Sequence, residues 1–487
     1  MLPIARSRLA PDLEISRVVT GLWQIADMER DGRTLDLDAA AQAMTPYLAA
    51  GFTSFDMADH YGSAEIIAGR CRALGDPDRL QLFTKWVPKP GPVSAAAVRA
   101  AIERSLTRLG VSTIDLLQFH AWNYADPSWL DALFHLQELQ REGLIRHLGL
   151  TNVDAAHLRV VLASGIPVVS NQVSCSLLDR RAAGALAEVC AEFGVGLLAY
   201  GTVCGGWLSE KWLGQDEPDW ARDGTWSQMK YGRFIGEVGG WPALQRVLRA
   251  ASAVARRHDV SITNVATRFV IEQAGVAAVI VGARLGERAH LDDNARLCAF
   301  ALTADDRVEL EAAIATLTPI PGDCGDEYRK SPFLTASGDL SHHLDTLPPP
   351  YEVRPGPNGT RRCFSGTAWE PLAGYARASR VGRRIYVSGT TATHGSRVIG
   401  GTDPAAQTHA VIDKIEGALQ ALGGRLEHVV RTRIFVSHVD HWEPVARAHG
   451  QRFGHIQPAN TLVEAGLVGR DYLVEIEADA DLGDENE

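Results

Sequence analysis

The chain has 487 residues, a formal net charge of -11, and 46% hydrophobic against 22% charged residues. It is too long for one compact domain, and its acidic balance excludes nucleic acid and an anionic membrane surface as main partners. Its 7 cysteines are scattered with no C-x-x-C pair, which excludes a disulfide framework and a zinc site and leaves reduced thiols.

The opening MLPIARSRLAP has neither a long apolar stretch nor a cleavage signature. No later run reaches membrane-spanning length, so the cytoplasm is the expected compartment. Short apolar runs bounded by breakers then follow as strands: VVTGLW, TSFDMAD, LQLFTKW, DLLQFHAW, IRHLGLTN, VVSNQVS, GLLAYGTV and AAVIVGAR. Helical periodicity lies between them, as in 94–109, with Ser94 as N-cap, and 127–142. This α/β alternation over residues 1–335 predicts a (β/α)8 TIM barrel.

Four residues stand at the ends of three successive strands: Asp56 and Tyr61, then Lys85, then His120. Strand C-termini carry the catalytic face of such a barrel. Taken singly, a strand-end Asp is a cap, a Tyr is packing, a Lys is solvated and a His is a satisfied core residue. Together they form a proton-donor set for carbonyl chemistry. A Tyr hydroxyl, with a pKa of about 10 in water, is helped by a nearby ammonium that a carboxylate holds in place. No G-x-G-x-x-G follows the first strand, so a dinucleotide would not bind in a Rossmann turn.

With D-x4-Y, Lys and His in this order, the barrel resembles the aldo-keto reductases. The resemblance implies NADPH-dependent reduction of an aldehyde or ketone, or the reverse oxidation, with Tyr61 as proton donor and His120 orienting the carbonyl. Thr151, Asn152 and Gln172 would hold the nicotinamide carboxamide, and Tyr200 would stack on the ring. Gly201, Gly205 and Gly206 would let backbone approach the pyrophosphate. Asp293 and Asn294 would contact adenine, while Arg284 and Arg288 would pair with a 2′-phosphate, favouring NADPH over NADH. Residues 207–240 read as a long aromatic loop over the barrel mouth, and PGDCGDEYRK (321–330) as a polar loop folding back toward it.

Residues 336–362, with Pro348-Pro349-Pro350 and further Pro and Gly, read as a linker. Beyond it, over 363–487, strands and two helices make a small α+β unit. IYVSGTT, VVRTRIFV, QPAN and VEIEADA in this unit resemble the Rid (YjgF-like) family, with its chorismate-mutase-like fold. That resemblance implies a homotrimer whose clefts hydrolyse imines or enamines. Glu475 matches the water-positioning glutamate, but Asn460 stands where active members have a carboxylate-gripping arginine. Arg377 is the nearest substitute, with surface charge as its plainer reading. The second unit is therefore expected either to act on an imine of the same pathway or to serve as a silent trimerisation scaffold.

Overall fold

The computed structural model describes residues 4–75, 80–287, 290–330 and 348–483. Strands β1 (Arg6–Ala10) and β2 (Leu13–Ser16) form an antiparallel hairpin. Eight parallel strands then close into a barrel: β3 (Val18–Gly21), β4 (Ser54–Asp56), β5 (Gln81–Trp86), β6 (Ile114–Phe119), β7 (Ile145–Thr151), β8 (Val168–Ser174), β9 (Gly196–Tyr200) and β10 (Val276–Gly282). They follow chain order around the ring, with β10 pairing back to β3. Each expected strand lies in this set. The helix Ala95–Leu109 starts where its cap predicts, the Ser94 hydroxyl accepting from the Ala97 N–H at 3.2 Å.

The N-terminal hairpin closes one end of the ring. Leu9, Ala10, Leu13 and Ile15 pack with Phe83, Leu116, Leu198 and Ala278 inside the barrel. The opposite, C-terminal end is thereby left to carry chemistry. The expected mouth loop 207–240 is instead partly helical: Trp226–Glu237 is a helix opened by a capping box of Thr225 and Gln228. Its aromatic residues fill a second apolar cluster, with Trp207, Tyr231, Phe234 and Trp241 at its centre.

The second unit is a seven-stranded sheet. It contains β11 (Glu352–Pro355), β12 (Arg361–Phe364), β13 (Ala378–Val381), β14 (Arg384–Thr391), β17 (Val429–Val436), β18 (Ala459–Glu464) and β19 (Val474–Asp481), ordered β11-β12-β13-β14-β19-β17-β18. Only β17 and β18 pair in parallel. A two-residue hairpin of β15 (Thr393–His394) and β16 (Arg397–Val398) lies apart. Part of the expected linker thus belongs to this sheet, as β11 and the start of β12. Pro355 is tolerated because β11 is an edge strand and need not donate at every position. Of the remaining linker, residues 336–347 lie outside the described residues.

The helix Pro404–Ala421 covers one face of the sheet and also packs on the barrel helix Ala155–Ala163. One apolar cluster runs without a break from the barrel helices into this domain. Among the described residues no helix is long and apolar enough to cross a membrane, none of the residues form a metal-binding cluster, and all seven cysteines are free.

Candidate active site

The strand ends bring the four expected catalytic residues to one cavity of about 1070 Å³. Asp56 ends β4 and Lys85 lies in the second half of β5, both buried to within 5% exposure. The Lys85 ammonium donates to Asp56 Oδ2 at 2.5 Å and to the Met57 carbonyl at 2.9 Å. Burial alone lowers the lysine pKa, while Asp56 works against that loss. Gln118 and Gln172 each donate through Nε2 to Asp56 Oδ1, at 2.8 and 2.7 Å. The carboxylate is therefore fixed by three partners at the floor of the cavity.

Tyr61 lies over this pair, its ring centroid 5.2 Å from Lys85 Nζ. Its hydroxyl is pushed well above the ordinary value by burial first, then by Asp56, Tyr328 and Asp59. Any lowering by the Lys85 ammonium is opposed here by that burial and by the Asp56 charge. The phenol is held in its acid form, the state a proton donor needs. His120, just past β6, makes a 3.3 Å contact from Nδ1 to the Thr151 carbonyl. A carbonyl only accepts, so this contact places a proton on Nδ1. Its ring meets Trp122 and Tyr328 edge-on, with centroids 4.4 and 5.7 Å apart.

Most of the residues expected to hold a dinucleotide line the same cavity: Thr151, Asn152, Gln172, Tyr200, Gly201, Gly205, Gly206, Arg284, Asp293 and Asn294. Arg288 lies outside the described residues. Asn152, with φ of 58°, accepts the Tyr200 hydroxyl on Oδ1 at 2.7 Å. Gln172 spends its Nε2 on Asp56 and Gln118. Asn152 Nδ2 and Gln172 Oε1 make none of these bonds, so the pair offers one donor and one acceptor, which is what a carboxamide requires.

The glycines divide in role. A Cβ at Gly201 would stand 2.2 Å from the Tyr231 hydroxyl, and one at Gly205 would stand 2.8 Å from the Ser227 backbone. Those two serve packing within the protein. Gly206, at φ of 91°, has open space where a Cβ would stand, so its bare backbone can take a phosphate. The donor set fits a nicotinamide dinucleotide.

The adenosine end is more occupied than expected. Arg284 donates from Nη1 to Asp27 at 2.8 Å and from Nε to Glu287 at 2.7 Å. Asp293 accepts from Asn264 Nδ2 at 2.6 Å and from the Ser261 hydroxyl at 3.2 Å. Asp27, Gln118, Lys230 and Tyr328 were not singled out in the sequence. Gln118 had a readable signal, since it shares strand parity with His120 two residues on. The other three sit on segments without such a period.

In the second domain Asn460 and Glu475 do not meet within one chain, whereas Arg377 lies close enough to Glu475 for its charge to act on that carboxyl, lowering its pKa against the other influences. Asn460 pairs across β18–β17 with Thr432, and Glu475 pairs across β19–β17 with Phe435. Thr432 and Phe435 differ in parity, so Asn460 and Glu475 lie on opposite faces of the sheet. Asn460 donates to the Thr432 hydroxyl at 2.8 Å. Arg377 is 3% exposed, which corrects its reading as surface charge. Its guanidinium is turned inward, donating to the Gly389 carbonyl at 2.7 Å, Thr390 Oγ1 at 2.6 Å and the Tyr375 hydroxyl at 2.9 Å. Glu475 is half-buried, and burial followed by the Glu477 charge raises its carboxyl pKa.

Residues 17–315 match the family described as Aldo/keto reductase family. Residues 365–482 match the one described as Endoribonuclease L-PSP, the YjgF group. Flagellar radial spoke protein 5 of Chlamydomonas reinhardtii is 31% identical over 216 residues, 38% of this chain and 41% of that protein. D-threo-aldose 1-dehydrogenase of a Pseudomonas species is 32% identical over 228 residues, 46% of this chain and 63% of that one. The chain thus spans less than two thirds of either relative. The barrel shares its fold with the glycerol dehydrogenase of Gluconobacter oxydans, at a TM-score of 0.53 and 23% identity over 65% of this chain and 97% of that one. With the profile match covering more than half of its length, the chain belongs to the aldo/keto reductase family.

Proposed function

We propose that the barrel reduces the carbonyl of an aldehyde or ketone, or oxidises the corresponding alcohol, with NADPH. The observation that carries this reading is the buried Lys85–Asp56 pair beneath Tyr61, with His120 lining the same cavity. Bound against Tyr200, Thr151, Asn152 and Gln172, the nicotinamide dinucleotide would supply the hydride. Tyr61 gives its proton to the carbonyl oxygen. Lys85, held by Asp56, stabilises the phenolate that this leaves. His120 orients the oxygen and takes part in returning the proton. Trp122 and Tyr328, packed on His120, help keep water from the reacting carbon.

Preference for NADPH rests on Arg284 and Arg288. For the second domain the reading is an imine- or enamine-binding cleft formed between copies in a homotrimer, with specificity altered by Asn460. Partly exposed Tyr386 and Val463 on the sheet support an assembly surface. A catalytically silent scaffold is the alternative.

The test follows NADPH absorbance across a panel of aldehydes and ketones with the full chain and its Tyr61→Phe variant. Loss of the acid is expected to lower turnover by about 10²–10⁴. A variant that kept more than about a tenth of the activity, with chemistry rate-limiting, would remove Tyr61 as donor.

A further inference from the structure

Lys230 is the least explained charge in the catalytic cavity. It sits on the helix Trp226–Glu237, 3% exposed, and lines the same cavity as Tyr61 and His120. Among the described residues no carboxylate pairs with it. Its ammonium carries three N–H donors, and the one acceptor it finds among the described residues is the Tyr328 hydroxyl. Around it stand the rings of Tyr328, Tyr200 and Tyr231, with centroids 4.6, 4.7 and 5.4 Å from Nζ. Ring faces offset part of the lost hydration, but they accept no conventional hydrogen bond. A buried cation without a counter-charge is costly, and proteins keep one where a ligand brings the anion.

The other cations that line the cavity are accounted for differently. Lys85 is paired with Asp56, Arg284 with Asp27 and Glu287, and Lys211 lies over the Trp212 ring.

Position decides which ligand this is. Tyr328 touches Lys230 through its hydroxyl, and its ring packs 5.7 Å from that of His120. One tyrosine side chain therefore bridges the ammonium and the residue that orients the carbonyl. The backbone that carries Tyr328 is pinned next to the catalytic strands. Arg329 donates to the Ala121 carbonyl at 2.8 Å and also to that of Asn152.

The hydroxyl's own proton is committed as well. Tyr200 donates to Asn152, so in the 3.2 Å contact between the two tyrosines Tyr328 is the donor. Lys230 is thus held in place by an oxygen that is itself fixed, while among the described residues two of its N–H groups keep no acceptor.

We infer that Lys230 is the anion-recognition group of this cavity and that the carbonyl substrate carries a carboxylate. The carboxylate docks on the Lys230 ammonium while the carbonyl lies at Tyr61 and His120, with the Tyr328 side chain touching both the ammonium and the imidazole. This assignment rests on the carbonyl-reduction reading and narrows its substrate class to oxo acids and carboxylated aldehydes.

The experiment compares 4-carboxybenzaldehyde with its neutral methyl ester, using the full chain and NADPH. Wild type is expected to favour the acid in kcat/KM. Lys230→Met is expected to lower the acid-to-ester ratio by about tenfold or more, through KM for the acid, since one charge-assisted contact is lost. Lys230→Arg should retain part of the ratio, and Tyr328→Phe should lower it in the same direction without removing the charge. Calorimetric binding of 4-carboxybenzaldehyde, without turnover, should weaken in parallel in Lys230→Met.

An unchanged acid-to-ester ratio in Lys230→Met overturns the inference. So does a loss of NADPH affinity, by fluorescence titration, as large as the loss in the ratio, because the ammonium would then serve a phosphate of the dinucleotide. If wild type reduces neither compound but still binds the acid through Lys230, the carbonyl-reduction reading fails and the anion site stands. Absence of Lys230-dependent binding sinks the site itself.

Discussion

Asp56 shows how firmly neighbours can hold one buried carboxylate. It accepts from Lys85, Gln118 and Gln172 at once, so replacing either glutamine would loosen the carboxylate that positions the lysine. The four proposed catalytic residues were legible because they stand at or just past the ends of three short apolar strands. Gln118 was equally legible through period-two parity. Lys230 and Tyr328 were not, since neither lies on a strand whose alternation assigns it a face. Arg284 was expected to be open to a phosphate and is held between two carboxylates. Its bonds to them use Nη1 and Nε, leaving Nη2 outside those contacts. Arg284→Ala is therefore expected to weaken NADPH more than NADH, by about 1.5–3 kcal/mol for the lost charge-assisted bond. Fluorescence titration of both dinucleotides checks this, and equal losses would make Arg284 a structural clasp for Asp27.

At the scale of elements, the junction between the barrel helix Ala155–Ala163 and the helix Pro404–Ala421 is built around a buried histidine. His157 contacts Asp154 through Nδ1 at 2.6 Å and Asp413 of the second domain through Nε2 at 3.1 Å. Arg452 closes the network on Asp413 and Glu416, at 2.7 and 3.0 Å, and Tyr124 stacks on the imidazole. Burial pushes the His157 pKa down, but the two carboxylates outweigh it and hold the ring above its ordinary 6.5. A raised folded-state value means that the charged histidine's contribution is complete below about pH 6.5 and is lost as pH rises through that value. His409, on the same helix as Asp413, works the other way. Burial and then Arg452 depress it to about 3, so its contribution is lost as pH falls below about 6.5.

His157→Gln is expected to cost about 3–5 kcal/mol at pH 6, as removal of one partner from a buried ionic network does. The gap to wild type should narrow toward pH 9 in urea denaturation. A gap that stays constant over that range would mean that His157 is neutral throughout. None of this junction was legible in the sequence, because it pairs residues some 250 positions apart. The helix Trp226–Glu237 was missed for a different reason. Its aromatic and glycine content masks the periodicity, although the Thr225-x-x-Gln228 capping box was there to be read.

The molecule as a whole carries its second domain as part of the barrel's own packing. The apolar cluster is continuous across the junction. A Cβ at Gly417 would stand 2.4 Å from the Ala125 carbonyl, and one at Gly401 would stand 2.5 Å from that of Ala163. Cutting the chain near Pro348 would uncover this surface and strand the Asp154–His157 pair, so truncation cannot cleanly separate scaffold from catalyst. A point substitution in the full chain can. Glu475 lies on the sheet face opposite the Pro404–Ala421 helix, and its Oε1 would stand 2.1 Å from a Cβ at Gly389. Glu475→Gln keeps this shape and removes the charge that would polarise water, so light-scattering mass should not change.

The full chain is expected to release little pyruvate from 2-iminopropionate. Asn460 is bonded to Thr432, and Arg377 is buried among backbone carbonyls, so neither presents a bidentate clamp for a carboxylate. A coupled lactate dehydrogenase assay measures this. Fast pyruvate release that disappears in Glu475→Gln would overturn the expectation and make the second domain a working deaminase. Slow release from this imine, together with faster Glu475-dependent hydrolysis of a neutral imine, would support the altered-specificity cleft. If Glu475→Gln changes neither reaction nor the assembly state, the domain acts as scaffold alone.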